Sequence, residues 1–234
     1  MDIIEVKIND IEMRLQTSHS LFSPRSVDAG TSAMLSTVRA ELLPGRKLLD
    51  LGCGYGIVGL YAAHFCGAHN IWMLDVDPEA IRVSKLNAIA LGLTEINTVL
   101  SDGPESLIKM SQANSFDLIL SNVPYHTDYN VAKRFIESSR VLLKDNGKLY
   151  VVVKKSKWYI NKMKTIFGGV RIIEDSGYYV LISEKRIKKA KNNQEKTIKQ
   201  ELKTTKKHQK RLETAKKNKK NHNCRLSRQF VQAL

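Results

Sequence analysis

The sequence predicts an α/β fold: a doubly wound, Rossmann-like and mostly parallel sheet that ends in an antiparallel hairpin. Between residues 47 and 153, apolar β-rich runs alternate with helical segments, as in parallel strands joined by right-handed crossovers. The last two β-rich runs, 170–173 and 178–183, are separated by four residues. A parallel crossover needs a dozen or more residues, so this pair must be antiparallel. A plain dinucleotide-binding domain would normally end with another parallel strand.

Each element follows from its local pattern. Apolar and polar residues alternate over 3–8 and 11–16 about Asn9-Asp10, which predicts an N-terminal β-hairpin. Helical spacing over 27–43 stops at Pro44-Gly45. The same reasoning predicts strands at 47–51, 71–74, 96–100, 116–120 and 148–153, and helices at 57–65, 78–91, 105–110 and 131–143.

The net charge of +15 separates a folded body from a tail. Residues 1–184 contain 20 Lys or Arg and 20 Asp or Glu, whereas residues 185–234 contain 18 basic and 3 acidic residues. The tail also has too few large apolar residues to bury a core. We therefore expect one folded domain over 1–184 and a Lys-rich tail over 185–234, either helical or disordered.

Several classes of protein are disfavoured by the composition. The three cysteines are widely spaced and form no CxxC pair, so neither a zinc site nor a disulfide framework is indicated, and no metal is expected. The N-terminus lacks a basic segment followed by a leader-like apolar run, and no stretch approaches the ~18 apolar residues of a membrane span. We expect a soluble, cytoplasmic protein.

A glycine loop follows the first strand of the alternating region. Residues 50–56 read Asp-x-Gly-x-Gly-x-Gly, and glycines allow positive φ and close approach to a ligand. Residues 54–59 also fit the GxGxxG dinucleotide fingerprint, and Asp75 ends the next strand where a ribose-binding acid is expected. By itself the loop fits a nicotinamide dinucleotide or S-adenosylmethionine.

Three neighbouring features favour S-adenosylmethionine. Asp50 precedes the glycines, and an acid there suits a cationic amino-acid end better than a pyrophosphate. Asp102, in Ser101-Asp102-Gly103, ends the third strand, where it could accept a hydrogen bond from the adenine N6 amine. Only about 60 residues of folded chain follow the fourth strand, which is little room for the substrate domain of a dehydrogenase. Cys53 is interpreted as a small loop filler.

A second motif, Asn122-Val123-Pro124-Tyr125, follows the fourth strand and should face the same crevice. The side-chain oxygen of Asn122 and the main-chain carbonyl of Val123 could accept hydrogens from a conjugated amine and so stabilise its transition state. Pro124 restricts the backbone, and Tyr125 could stack on a base. The motif predicts a site for a planar group that carries an NH2.

These motifs resemble the small-methyltransferase-domain family of class I methyltransferases, best known from 16S ribosomal RNA guanine-N2 methyltransferases. The resemblance rests on the 50–56 loop, Asp75, Asp102, the 122–125 turn and the segment 22–31, and covers roughly residues 1–184. It implies a catalytic turn of Asn122, Val123, Pro124 and Tyr125. It also implies these cofactor-binding residues: Asp28, Gly30, Thr31, Asp50, Gly52, Cys53, Gly54, Gly56, Asp75, Val76, Asp102, Gly103 and Asn122.

The turn departs from the family pattern at one place, where Val123 stands instead of the usual proline. A main-chain carbonyl survives that change, so the acceptor role is kept while the turn loses rigidity.

We therefore expect methyl transfer from S-adenosylmethionine to an exocyclic amine of an RNA base, first of all guanine N2 of 16S rRNA. The alternatives are adenine N6 in RNA, glutamine N5 in a protein, a nicotinamide-dependent reductase and a non-catalytic RNA-binding factor. The basic pairs in 185–222 should bind RNA by counterion release, although a solubilising arm or one attracted to any polyanion fits them too. Lys154–Tyr159 mixes cations and aromatic rings and could add contacts.

Overall fold

A computed structural model describes residues 1–123 and 129–187. Within these ranges the strands are β1 (Asp2–Ile8), β2 (Ile11–Thr17), β3 (Leu48–Leu51), β4 (Ile71–Asp75), β5 (Asn97–Leu100), β6 (Phe116–Asn122), β7 (Leu143–Val153), β8 (Arg171–Asp175) and β9 (Tyr178–Glu184). The helices are α1 (Ala29–Val38), α2 (Ile57–Cys66), α3 (Pro78–Ala90), α4 (Glu105–Lys109), α5 (Tyr129–Leu142) and α6 (Lys157–Phe167).

The large sheet has the strand order β5-β4-β3-β6-β7-β9-β8. Its first five strands are parallel, whereas β9 is antiparallel to both β7 and β8. Ser176 and Gly177 join β8 to β9 with φ of 49° and 76°, as the primed hairpin turns require. The predicted α/β class and antiparallel ending are confirmed, as is the N-terminal hairpin of β1 and β2.

Some boundaries differ from the prediction because pairing, and not local pattern, decides where a strand ends. β6 continues to Asn122, which pairs with Val152, so Asn122 ends the strand and does not lie in a turn beyond it. β7 begins at Leu143, opposite Phe116, where the prediction ended a helix at 143 and began the strand at 148. α1 stops at Val38 and continues as a 3₁₀ turn over Arg39–Glu41.

Two apolar cores cover the two faces of the sheet, as expected for a mostly parallel sheet. One contains Leu48 and Leu118 with residues of α1, α2, α3 and the β1-β2 hairpin. The other contains Leu49 and Ile119 with residues of α4, α5 and α6. Neighbouring residues of one strand therefore enter opposite cores, which fixes the register of the central strands.

Asn87 of α3 ties the N-terminal hairpin to the glycine loop. Its Oδ1 accepts from the main-chain N–H of Gln16 at 2.7 Å. Its Nδ2 donates to the carbonyls of Gln16 and Tyr55, each at 2.9 Å. Asn87 is fully buried, so its amide replaces water for three main-chain groups and connects β2 to the loop.

The contact of α2 with β4 can be tested at Gly59. A Cβ on Gly59 would lie 2.7 Å from Cγ of the fully buried Met73 and 3.2 Å from Cγ2 of Ile71. We expect Gly59→Ala to lower the free energy of unfolding by about 1–3 kcal/mol in urea denaturation, because overpacking strains the core. The matched control is Gly169→Ala, where a Cβ meets nothing within 4 Å. Equal stability of the two variants would contradict this packing.

Candidate active site

Three strand ends meet at one level of the sheet. Asp50 of β3 is paired with Met73 of β4 and with Leu120 of β6. Two residues further along each strand stand Gly52, Asp75 and Asn122. Along the chain, β4 and β5 are added on one side of β3, and β6 is then added on the other side. In open α/β sheets such switch points form ligand crevices.

A cavity of about 310 Å³ opens there, within the usual size of small-molecule sites. It brings together most residues that the sequence predicted for cofactor binding: Asp28, Thr31, Asp50, Gly52, Cys53, Gly54, Asp75, Val76, Asp102, Gly103 and Asn122. The two motifs, 70 residues apart along the chain, therefore share one crevice.

Gly30 and Gly56 do not line the cavity but face the protein. A Cβ on Gly30 would lie 2.5 Å from Cδ1 of Tyr178. Gly56 has φ +92°, and its Cβ would lie 3.0 Å from Cβ of Ser84 and 3.1 Å from the sulfur of Met73. The sequence predicted that both glycines contact a cofactor. In the structure their missing side chains allow neighbouring residues to pack closely around the site.

The glycine loop and Asp75 hold one another in place. Gly52 and Gly54 have φ of +80° and +55°. The Gly54 N–H donates to Oδ2 of Asp75 at 2.9 Å, and the Asp77 N–H donates to Oδ1 at 3.0 Å. Carboxylate oxygens accept more than one hydrogen bond, so Asp75 can be held by the main chain and still accept from ribose hydroxyls.

Asp50 lies below the loop and is only 2% exposed. Its Oδ2 accepts from the Gly59 N–H at 2.9 Å. Burial raises the pKa of Asp50 to about 7, and the Asp75 charge adds to that rise, while the Gly59 hydrogen bond opposes it. A cation in the cavity would favour the ionised carboxylate.

Cys53 is an inert part of the loop. Burial raises the pKa of its thiol well above the ordinary value, and the charges of Asp50 and Asp75 add to the effect. A thiolate nucleophile needs the opposite shift, so the structure agrees with a small filler at this position.

Asp102 and Gly103 lie at the other end of the cavity, under Arg134 of α5. The guanidinium donates to the Asp102 carboxylate at 3.3 Å, to its carbonyl at 2.6 Å and to Glu105 at 3.0 Å. A Cβ on Gly103 would lie 2.4 Å from Nη2 of Arg134. The Asp102 side chain is 82% exposed, and Arg134 fixes its position.

Sequence reasoning missed several lining residues. Tyr55 stands within the glycine motif, and Ser20–Ser23 overlap the segment before α1, so both were within reach of a motif-based search. Val131, Arg134 and Phe135 come from α5, and no local signal marks them. Only the packing of α5 against β7 and α6 brings them to the cavity.

Asn122 is the last residue of β6, and the nitrogen end of its side-chain amide donates two hydrogen bonds. Nδ2 donates to Oδ2 of Asp28 at 3.0 Å and to Oγ1 of Thr31 at 2.9 Å. Within 1–123 and 129–187, Oδ1 is buried and has no hydrogen-bond partner. Val123 is 1% exposed and packs in the core beside α5, while Pro124, Tyr125 and His126 lie outside the described residues.

Two further findings concern the same ranges. No group of three or more His, Cys, Asp or Glu side chains in the described part of the chain could hold a metal ion. None of the helices described there is both long and apolar enough to cross a membrane.

The Rossmann-like sheet, the acid-flanked glycine loop and the amide at the neighbouring strand end define an S-adenosylmethionine-dependent methyltransferase. The chain belongs to the methyltransferase small domain family, whose model matches residues 12–183. By itself the glycine motif fitted either a nicotinamide dinucleotide or S-adenosylmethionine. Membership of this family identifies S-adenosylmethionine as the cofactor.

Similar proteins include curated sequences and a solved structure. The chain is 28% identical to the uncharacterised protein YbxB of Bacillus subtilis over 183 residues, 76% of this chain and 89% of that one. It is 29% identical over 181 residues to ribosomal RNA small subunit methyltransferase C of Idiomarina loihiensis, covering 75% of this chain and 51% of the relative.

The solved structure is the 16S rRNA N2 G1207 methyltransferase RsmC of T. thermophilus in complex with AdoMet and guanosine. It superimposes with a TM-score of 0.72 at 25% identity, over 79% of this chain and 50% of that one. The chain thus spans about half the length of these rRNA methyltransferases.

The raised pKa of Asp50 predicts that ligand binding is linked to proton release. The ammonium group of S-adenosylhomocysteine should lower that pKa, so below about pH 7 binding expels a proton and affinity rises from pH 5.5 to 7. The ligand's own amine stays protonated there, since α-amino groups titrate near ~7.7–8.0. Calorimetry at pH 6 in buffers of different ionisation enthalpy measures the proton count.

Asp50→Asn should bind more weakly, with no proton released and a flat pH profile over the same range. The control is Asp10→Asn, at the exposed tip of the hairpin. Proton release that persists unchanged in Asp50→Asn would assign the titration to another group.

Proposed function

We propose that this protein transfers the methyl group of S-adenosylmethionine to an exocyclic amine of an RNA base, with guanine N2 of small-subunit rRNA as the leading target. The observation that carries the proposal is the side-chain oxygen of Asn122. It is a buried acceptor with no partner in the described part of the chain, and it stands at the switch point of the sheet beside the cofactor loop. A buried acceptor left without a donor is costly unless a ligand supplies one.

The order of the strands sets the direction in which the cofactor would lie. Moving along the sheet edge, the cavity passes Asn122 on β6, Asp50 before β3 ends, Asp75 on β4 and Asp102 after β5. Asp50 suits the amino-acid end, Asp75 the ribose and Asp102 the adenine amine. S-adenosylmethionine held by these residues would share one cavity with Asn122.

The residues present then account for the chemistry. The lone pair of an exocyclic amine is conjugated with its ring, so the nitrogen is a poor nucleophile. Two acceptors, Oδ1 of Asn122 and the carbonyl of Val123, would pull its hydrogens out of the ring plane and stabilise the charge that develops on nitrogen. The remaining requirement is alignment with the methyl group, which the shared crevice supplies.

The similar proteins support the choice of substrate. Ribosomal RNA small subunit methyltransferase C and the RsmC structure with guanosine both name small-subunit rRNA, and the latter names guanine N2. Because this chain matches only about half of each, the target nucleotide is part of the proposal. Adenine N6 in RNA and glutamine N5 in a protein are the other planar NH2 groups that the same acceptors fit.

A basic and aromatic surface adjoins the acceptor end of the site. Lys154, Lys155 and Lys157 are exposed where β7 ends and α6 begins. Beside them the rings of Tyr129 and Trp158 lie 4.6 Å apart, and half of Tyr129 is exposed. Cations next to aromatic rings suit single-stranded RNA, through phosphate contacts and base stacking. The basic residues of 188–222, which the sequence predicted to bind RNA, lie outside the described residues.

Asn122→Ala tests the acceptor role. We expect methyl transfer to RNA to fall by at least about 10²-fold, because a transition-state contact is lost, while the affinity for S-adenosylhomocysteine changes little. Mass spectrometry of nucleosides from RNA treated with each variant gives both the rate and the modified base. Asn161→Ala, on the exposed face of α6, is the matched control. Unchanged methylation by Asn122→Ala would refute the proposal and favour a non-catalytic RNA-binding factor.

Removing residues 188–234 tests the tail. We expect weaker RNA binding with a shallower dependence on salt, because fewer counterions are released, and an unchanged affinity for S-adenosylhomocysteine. Fluorescence anisotropy with a labelled rRNA fragment at several salt concentrations measures the slope. A slope equal to that of the full chain would assign RNA binding to the domain alone.

A further inference from the structure

We propose that Asp28, supported by Thr31 and Tyr178, is a positioning residue that fixes the Asn122 amide with its oxygen toward the acceptor base. The sequence resemblance assigned Asp28 and Thr31 to the cofactor, and both line the cavity. Their side chains also bond to Asn122. The inference rests on the proposed function, in which that oxygen receives the amine hydrogens.

The orientation of the amide follows from the chemistry of its partners. A side-chain amide has one end that donates and one that accepts, and the two ends have nearly the same shape. Both Nδ2 hydrogens of Asn122 are used, toward Oδ2 of Asp28 at 3.0 Å and Oγ1 of Thr31 at 2.9 Å. A carboxylate only accepts, so a flipped amide would place two oxygens in contact. The oxygen is therefore at the end of the amide that is turned away from Asp28 and Thr31, in a residue that lines the cavity.

Only this orientation serves the reaction. A flipped amide would present an NH2 group to the substrate amine, donor against donor, and the transition state would lose one of its two acceptors. The same polarity selects the substrate, because an oxygen accepts from an exocyclic NH2 and repels a base carbonyl at that place. Asp28 thus determines through Asn122 which base edge can enter.

Asp28 is itself held by two further contacts, one local and one from a distant strand. Its Oδ2 also accepts from the main-chain N–H of Thr31 at 3.1 Å, which caps α1. Its Oδ1 accepts from the Tyr178 hydroxyl at 2.7 Å. The carboxylate is therefore bonded to three donors, one of them contributed by β9, 150 residues further along the chain.

Gly30 makes room for this arrangement. The Tyr178 ring lies against α1 where a Cβ on residue 30 would come within 2.5 Å of it. Gly30 and the antiparallel strand β9 therefore both help to fix the side-chain amide of Asn122. This explains a glycine that the sequence placed in the cofactor site but that the fold turns away from the cavity.

Asp28→Ser separates positioning from structure. Serine is a good helix N-cap, so α1 keeps its cap, but the side chain is too short to hold the Asn122 amide. We expect kcat for methyl transfer to fall by about 10- to 100-fold, with little change in KM for RNA or in affinity for S-adenosylhomocysteine. Tyr178→Phe should show a smaller loss of the same kind. Its control is Tyr179→Phe, a neighbouring residue that packs in the opposite core.

A reciprocal exchange provides the decisive comparison. Asn122→Asp alone sets two carboxylates against each other and should be nearly inactive. Asp28→Asn in the same chain lets the amide at residue 28 donate to the carboxylate at 122, whose other oxygen then faces the base. We expect the double variant to be at least about tenfold more active than Asn122→Asp, and this rescue measures the coupling between residues 28 and 122. Additive losses would overturn the proposal.

Nuclear magnetic resonance tests the positioning without activity. In the full-length protein, both side-chain NH2 hydrogens of Asn122 should exchange slowly with solvent, and Asp28→Ser should accelerate exchange while leaving the Asn87 amide unchanged. Equal exchange rates of these hydrogens in both proteins would refute the positioning role, even if RNA is methylated. Loss of protection in a protein that methylates no RNA would uphold the positioning and reject the proposed substrate.

Discussion

The site depends on one constraint, the parallel pairing of β3 with β4 on one side and β6 on the other. This register sets Gly52, Asp75 and Asn122 at one level, although they are up to 70 residues apart. It is fixed by burial on both faces, since Leu48 and Leu49 enter opposite cores. A shift of one residue would exchange the two faces and turn the polar groups at the strand ends away from the cavity.

The polar groups at this edge are almost all satisfied by the protein itself. Asp75 is bonded by the main chain of the loop it faces, Asp28 by three donors, and Arg134 bridges Asp102 and Glu105. Such bonds fix side chains before a ligand arrives, which is the condition for electrostatic preorganisation. Against this background the side-chain oxygen of Asn122 is conspicuous, because it is buried and has no hydrogen-bond partner in the described part of the chain. Under the proposed function it accepts from the substrate amine.

The glycine loop, Asp75 and the Asn122 motif could be predicted from sequence because each is a short pattern beside a recognisable strand. Predictions that depended on long-range packing were less complete. Gly56 has the positive φ that its motif predicts, and Gly30 lies in the segment 22–31 that carries part of the family resemblance. In both cases the missing side chain makes room for another residue, which is Tyr178 beside Gly30 and Met73 beside Gly56. Arg134 and Phe135 were missed, because nothing in α5 marks the face that meets the cavity.

By itself the sequence determined the α/β class, the antiparallel ending, the acid-flanked loop and the presence of an amide near the end of the fourth strand. These follow from local periodicity, from loop lengths and from residue types. Only the tertiary structure decided which way that amide points, since its donors are held by Asp28 and Thr31, and Asp28 is in turn held by Tyr178 on β9. The orientation of a hydrogen-bonding group depends on its partners, and these partners come together only when the sheet is complete.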